Sequence, residues 1–204
     1  MTILDIDLDA FVSPVVHFRN DCDERPSNNG HRVASEKIVG DFLKRQCCLN
    51  PTICGVAVEH HVGVLDKVAA LIERGQLSPP FTWVHVDAHD DLWGHYSRPP
   101  NSGNFLYHCI RRSWLKKLIM VFPVGEFDFP AYVLCESPLS VAFDRYSVPL
   151  EFSDIATYEA KASPDFVLLA RSPAFTPPEA DSLYGFIRSQ FAECPAVVLS
   201  HCST

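Results

Sequence analysis

The sequence lacks any apolar run approaching the roughly 20 residues that cross a bilayer as a helix. It also opens on Leu4-Asp5-Ile6-Asp7, with no basic stretch ahead of an apolar block. These absences argue against a spanning helix and a secretory signal, and the expectation is a soluble, cytoplasmic protein. Although there are 8 cysteines, no Cys-x-x-Cys pair occurs, which removes the commonest spacing for thiolate metal sites and redox centres. Cys54, Cys109, Cys135 and Cys194 stand beside apolar residues, the setting of packed, reduced thiols. Basic residues are few, 17 Lys and Arg against 25 Asp and Glu. The resulting charge of -8 disfavours a nucleic-acid partner and suits a cationic substrate. There is no internal repeat, low-complexity tract or linker. With 204 residues, 47% of them hydrophobic, the chain 1–204 is expected to form one domain with a full core.

Thr2 to Asp9 alternates apolar and acidic residues, so a strand there places Ile3, Asp5, Asp7 and Asp9 on one side and Leu4, Ile6 and Leu8 on the other. A polar loop around Asp21 to His31 follows, and then helical spacing over Val33 to Cys48. Thr52 to Val58 reads as a strand ending in Glu59-His60-His61, Val64 to Arg74 as a helix closed by Gly75, and Thr82 to Asp87 as a second strong strand. Phe105 to Lys117 and Pro178 to Ala192 have helical composition. Leu118 to Phe122, Tyr132 to Leu134, Val141 to Phe143, Phe166 to Ala170 and Ala196 to Leu199 are strand candidates. This βαβ rhythm predicts an α/β fold, a mostly parallel sheet with helices on its faces.

Chemistry concentrates at the ends of these strands. Asp87-Ala88-His89-Asp90-Asp91 follows directly on an apolar strand, and extended geometry points Asp87, His89 and Asp91 the same way. Asp7 and Asp9 form a second acidic strand end, and buried carboxylates are costly unless a cation or hydrogen bonds offset them. His60-His61 ends a third apolar strand. His61 is the preferred ligand of the two, with His60 as the alternative. Four Asp and two His offer oxygen and imidazole nitrogen, which suits manganese better than thiolate-rich structural zinc.

Asp87-Ala88-His89-Asp90-Asp91 resembles the Asp-Ala-His-x-Asp signature of the arginase and ureohydrolase superfamily, and Asp7-Leu8-Asp9-Ala10-Phe11 resembles its Asp-x-Asp-Ala-Leu/Phe signature. The resemblance implies a three-layer α/β/α, arginase/deacetylase-like fold and two Mn2+ ions sharing a bridging water or hydroxide. It makes Asp7 and Asp87 ligands to both ions, His61 and Asp91 ligands to one, and His89 and Asp9 ligands to the other. Asp91 also becomes the residue that orients the attacking oxygen. Ser102-Gly103-Asn104 is similar to the family's Ser-Gly-Asn pocket segment, which leads to a proton-shuttling histidine; here that is His108, with His95 as rival.

The chain departs from the superfamily in three ways. Its Asp-x-Asp strand comes first, so the motif order is circularly permuted. Its late strand ends in Arg171-Ser172 where a guanidinium-binding carboxylate stands in arginases, leaving Asp90, Glu126, Asp128 or Glu59 to hold the substrate. It is also shorter than an ordinary ureohydrolase. These departures, with the Glu59-His60-His61 and Ala170-Arg171-Ser172-Pro173 segments, resemble the peptide arginases. Those enzymes convert arginine side chains of ribosomally made precursor peptides to ornithine. A relative acting on a small free guanidino or amide substrate, and a non-catalytic module binding arginine peptides, are the alternatives.

Overall fold

A computed structural model describes residues 1–17, 19–92, 99–125 and 148–194. The expected strands at 132–134, 141–143 and 196–199, together with His95, Glu126 and Asp128, lie outside the described residues.

The opening alternation becomes strand β1 (Thr2–Asp7), followed by a 3-10 turn over Leu8–Phe11 and a short antiparallel pair of β2 (Val12–Ser13) with β3 (Arg32–Val33). Next come α1 (Glu36–Asp41), β4 (Cys54–Val58), α2 (Gly63–Glu73), β5 (Phe81–Val86), α3 (Phe105–Arg111), β6 (Leu115–Phe122), β7 (Leu150–Asp154), β8 (Phe166–Ala170), α4 (Asp181–Arg188) and β9 (Ala192–Glu193). Seven strands form one sheet in the order β7-β6-β5-β1-β8-β4-β9, and every pairing in it is parallel.

Both faces of this sheet are covered. Ile3, Trp83, Leu118 and Leu168 point to one side, where they pack with Val64, Leu65, Val68 and Leu71 of α2 and with Phe105, Leu106 and Ile110 of α3. Leu4, Ile6, Val84 and Val167 point to the other, against Val39 of α1 and Leu183 and Ile187 of α4. Each such side chain contributes roughly 1.5–3 kcal/mol on burial. The central strands are therefore apolar on both sides except where acidic and imidazole groups interrupt them, and β1 and β5 at the middle of the sheet hold those interruptions.

Several boundaries differ from the sequence reading. Val33 pairs with Val12 as strand, and the helix starts only after Ser35, whose hydroxyl caps the Ile38 amide. It then passes into a π-helical turn over Phe42–Gln46. The helix expected from Phe105 to Lys117 stops at Arg111. Ser113 takes a left-handed φ of 57°, the Ser113 amide bonds the Ile110 carbonyl and the Trp114 amide bonds the Cys109 carbonyl. Those bonds make a Schellman cap without glycine, so the usual signal for a helix end is missing and β6 begins three residues early. Gly75 closes α2 by the same motif, as its position predicts. Ala192 belongs to β9 and not to the preceding helix. Strand β7 was not expected: it is a polar edge strand beside β6, with Glu151 exposed. Among the described residues, Cys22, Cys47, Cys48, Cys54, Cys109 and Cys194 are free thiols, and no helix is long and apolar enough to cross a membrane.

Candidate metal centre

The parallel register of β1 on β5 builds the centre. Asp5 pairs with His85, and the same offset carried past the strand ends sets Asp7 beside Asp87 and Asp9 beside His89. Side chains on one face of paired parallel strands are neighbours, so six polar groups come together without any loop having to travel. His61 joins from the far side of β8, three residues beyond β4 and just before α2. All of these residues except His89 are almost completely buried.

His61 sits at the focus. Its Nδ1 lies 2.9 Å from Asp7 Oδ2, 3.1 Å from Asp87 Oδ2 and 3.0 Å from Asp91 Oδ2. A single N–H can aim at one oxygen, not three, and none of the three makes a hydrogen bond with it. His61 Nδ1, His85 Nε2, Asp87 Oδ2 and Asp91 Oδ2 are all buried without hydrogen-bond partners. With metal–ligand bonds of about 2.1 Å, donors at right angles around an ion are about 3 Å apart, which is the spacing seen here. The outer ring nitrogen, Nε2, donates to Asp5 Oδ1 at 3.0 Å, which leaves the Nδ1 lone pair facing the oxygens.

His89 differs at its inner nitrogen: Nε2 donates to the Val16 carbonyl at 2.9 Å, while Nδ1 hydrogen-bonds Asp9 Oδ2 at 2.9 Å and lies 3.5 Å from Asp87 Oδ1. Asp7, His61 and Asp87 thus form one triad able to hold an ion, and Asp9, Asp87 and His89 form another, with the two oxygens of Asp87 directed one to each. Asp7 Oδ2 faces His61 while its Oδ1 accepts the Asp9 amide at 3.3 Å, and Asp87 Oδ1 likewise accepts the His89 amide at 2.6 Å.

The electrostatics of the cluster are those of a site short of positive charge. Burial, then repulsion from Asp7 and Asp87, pushes the Asp9 carboxyl well above the usual carboxylate range. Burial and Asp87 push Asp91 up to about 7. Against burial, which favours neutral imidazole, Asp9 and Asp87 raise His89 to about 12, and Asp5 and Asp7 raise His61. Every one of these shifts is the pull of the cluster on protons, and a divalent ion among the same atoms satisfies that pull instead. The donor set, carboxylate oxygen and imidazole nitrogen with no thiolate, fits a hard or borderline divalent cation such as Mn2+.

Other expected site residues occupy the surroundings. Ser102 accepts the Val62 amide through its hydroxyl at 3.2 Å and donates its own amide to Asp21 at 3.3 Å, tying the Ser-Gly-Asn turn to the segment after His61. Asn104 accepts the Asn101 amide and donates to the Pro99 carbonyl. Asp90 is buried and accepts the Leu92 amide at 3.0 Å, closing the turn that aims Asp91. Glu59 is engaged by the chain's own Arg171 at 2.9 Å. His108 lies on α3 beside Tyr107 and belongs to none of the Asp/His groupings among the described residues, nor does His60.

Three contributors were missed by sequence reasoning. Asp5 and His85 extend the same-side alternation of their strands by one step, so the signal was present. Ser172 is less legible: it adopts a left-handed φ of 46° and donates its hydroxyl to Asp7 Oδ2 at 2.5 Å. Only the folded turn after β8 shows this. Arg171, next to it, turns away to Asp181, which also receives Arg25.

Comparison of the chain with protein-family models, curated proteins and solved structures finds no match.

Proposed function

We propose that the chain is a binuclear metal hydrolase of arginase type. In this reading it converts arginine side chains of a ribosomally made precursor peptide to ornithine, with release of urea. The observation that supports it most is the ring of unpartnered atoms, His61 Nδ1, Asp87 Oδ2 and Asp91 Oδ2, spaced as ligands of one ion. Asp87 shares its other oxygen with the His89 triad. The permuted motif order does not weaken the reading. β1 and β5 are adjacent parallel strands, so their acidic ends converge whichever the chain visits first.

Held by the Asp7-His61-Asp87 and Asp9-Asp87-His89 groups, two divalent ions would supply Lewis acidity and would lower the pKa of water from ~15.7 toward neutrality. The chain's own residues do the rest. Asp91, whose Oδ2 lies 3.0 Å from His61 Nδ1, is the residue to which the family resemblance gives the orienting of the attacking water and the passing of its proton to the departing amine. His85 and His61 stack with ring centroids 5.3 Å apart and wall the centre against Phe105. Of the cluster's imidazoles, His61 and His85 are fully buried and His89 is partly exposed, lying between His17 and Phe175. A net charge of -8 favours a cationic guanidinium over an anionic substrate. His108 holds the role of proton relay only through the family resemblance.

The test is incubation of Mn2+-loaded protein with arginine-containing peptides. Urea release, with a peptide mass loss of about 42 Da per modified arginine, is expected from this hydrolysis. Tight peptide binding without urea would overturn the enzymatic reading, and turnover of free guanidino compounds alone would overturn the peptide substrate.

A further inference from the structure

His85 lies outside the six ligands implied by the resemblance, yet it is fully buried at the centre. Asp5 determines what it can do. Trp83 Nε1, which can only donate, reaches Asp5 Oδ2 at 3.0 Å, and His85 Nδ1 reaches the same oxygen at 2.8 Å. His61 Nε2 occupies the other oxygen. Both oxygens of Asp5 are thus occupied as acceptors by three ring nitrogens, those of Trp83, His85 and His61. Both imidazoles then donate outward to Asp5 and turn a lone pair inward. For His85 that lone pair is on Nε2, buried, without a hydrogen-bond partner, 3.3 Å from Asp87 Oδ2 and 4.0 Å from Asp91 Oδ2. In the neutral ring that lone pair faces carboxylate oxygens, a contact that a proton or a metal cation between them relieves. These spacings are those of donors sharing one ion, and His85, Asp87 and Asp91 form a grouping of their own.

We infer that His85 is a third imidazole ligand, and that it makes the two metal positions unequal. On the buried side two groupings overlap at Asp87, Asp7-His61-Asp87 and His85-Asp87-Asp91, and Asp91 Oδ2 also lies 3.0 Å from His61 Nδ1, so the ion beside His61 has more protein donors within reach than the one beside His89. The ion beside His89 has three donors, Asp9, Asp87 and His89, and retains open positions on the side where His89 is partly exposed. Closed shells characterise structural sites and open shells catalytic ones. The His61 position is therefore the tight, anchoring ion, and the His89 position is the exchangeable one that meets substrate. Asp5 is the positioning residue for the anchoring ion, since it fixes the tautomer of two of its ligands at once.

This inference rests on the binuclear reading, and the test separates the two. Chelator-stripped protein is titrated with Mn2+ and the bound ions are examined by nitrogen hyperfine spectroscopy after 15N-histidine labelling. The unmodified chain should bind two ions of unequal affinity, with three coordinated imidazoles in all. His85→Phe preserves the ring packing and should weaken the tighter ion by about tenfold or more while leaving the weaker one unchanged. Asp5→Asn should weaken the tighter ion similarly, because an amide no longer enforces the tautomer. Two ions with only two imidazoles in the unmodified chain overturn the inference even if the His85 variant fails to fold. So does a folded His85→Phe chain with unchanged affinities. No Mn2+ binding at all overturns the inference together with the reading beneath it.

Discussion

Replacing Ser172 isolates one contact that holds the centre together. Its hydroxyl donates to Asp7 Oδ2 at 2.5 Å inside a buried environment, and its backbone has a φ of 46°. Ser172→Ala removes the donor and keeps the strained backbone. A hydrogen bond to a charged group contributes roughly 1.5–3 kcal/mol, and loss of the donor leaves Asp7 with one fewer partner among other carboxylates. The expected destabilisation is therefore about 2 kcal/mol, read as a lower midpoint in urea denaturation at neutral pH. Ser172→Gly removes the same donor but relieves the left-handed strain, which is worth roughly 1 kcal/mol for a side chain with a Cβ. The glycine variant should accordingly be the more stable of the two. Since Asp7 Oδ2 is also a proposed ligand atom, both variants should bind Mn2+ more weakly, by about 10- to 100-fold for a lost outer-shell partner. An alanine variant with the denaturation midpoint and Mn2+ affinity of the unmodified protein would refute the reasoning, since the hydrogen bond would then be contributing nothing.

Further outcomes follow from other contacts. Gly55 on β4 has no room for a side chain: a Cβ there would lie 2.6 Å from Phe191 Cδ2 and 2.8 Å from the Val167 carbonyl oxygen. Gly55→Ala should cost about 1–3 kcal/mol by overpacking, measured as a shift in thermal midpoint. Asp181 is held down at about 2, first by Arg25 and then by Arg171. A depressed carboxyl contributes stability that is present above its ordinary value of 3.8 and lost as pH falls through about 2. The unmodified protein should therefore lose that contribution between pH about 4 and 2, whereas Asp181→Asn should be weaker at neutral pH and show less of this acid loss in denaturant titrations. Arg171→Met should free Glu59 and one partner of Asp181 while leaving Mn2+ affinity unchanged, because Arg171 faces away from the cluster.

The positions of most candidate ligands were legible because two short-range rules suffice for them. Alternation along β1 and β5 sets which side chains share a face, and apolar strands ending in Asp or His mark where the face becomes polar. Asp7, Asp9, His61, Asp87, His89 and Asp91 follow from those rules and do converge. Asp5 and His85 obey the same rule. They went unread because a buried Asp and His within an apolar strand look like isolated interruptions until the register pairs them. Ser172 required a turn whose backbone sign is invisible in sequence. The ends of α1 and α3 were misplaced for a related reason: the cap at Ser113 uses a left-handed residue without glycine, and Val33 was claimed by a strand partner about 20 residues earlier. The parallel sheet, by contrast, was written in the apolar βαβ rhythm.

Mn2+ binding to the unmodified chain, measured against binding to Asp87→Ala, tests the central claim most directly. Asp87 faces both His61 and His89, so the unmodified chain should bind two equivalents and the variant should lose both. A chain that binds no divalent ion, or a folded Asp87→Ala variant that retains two, would contradict it.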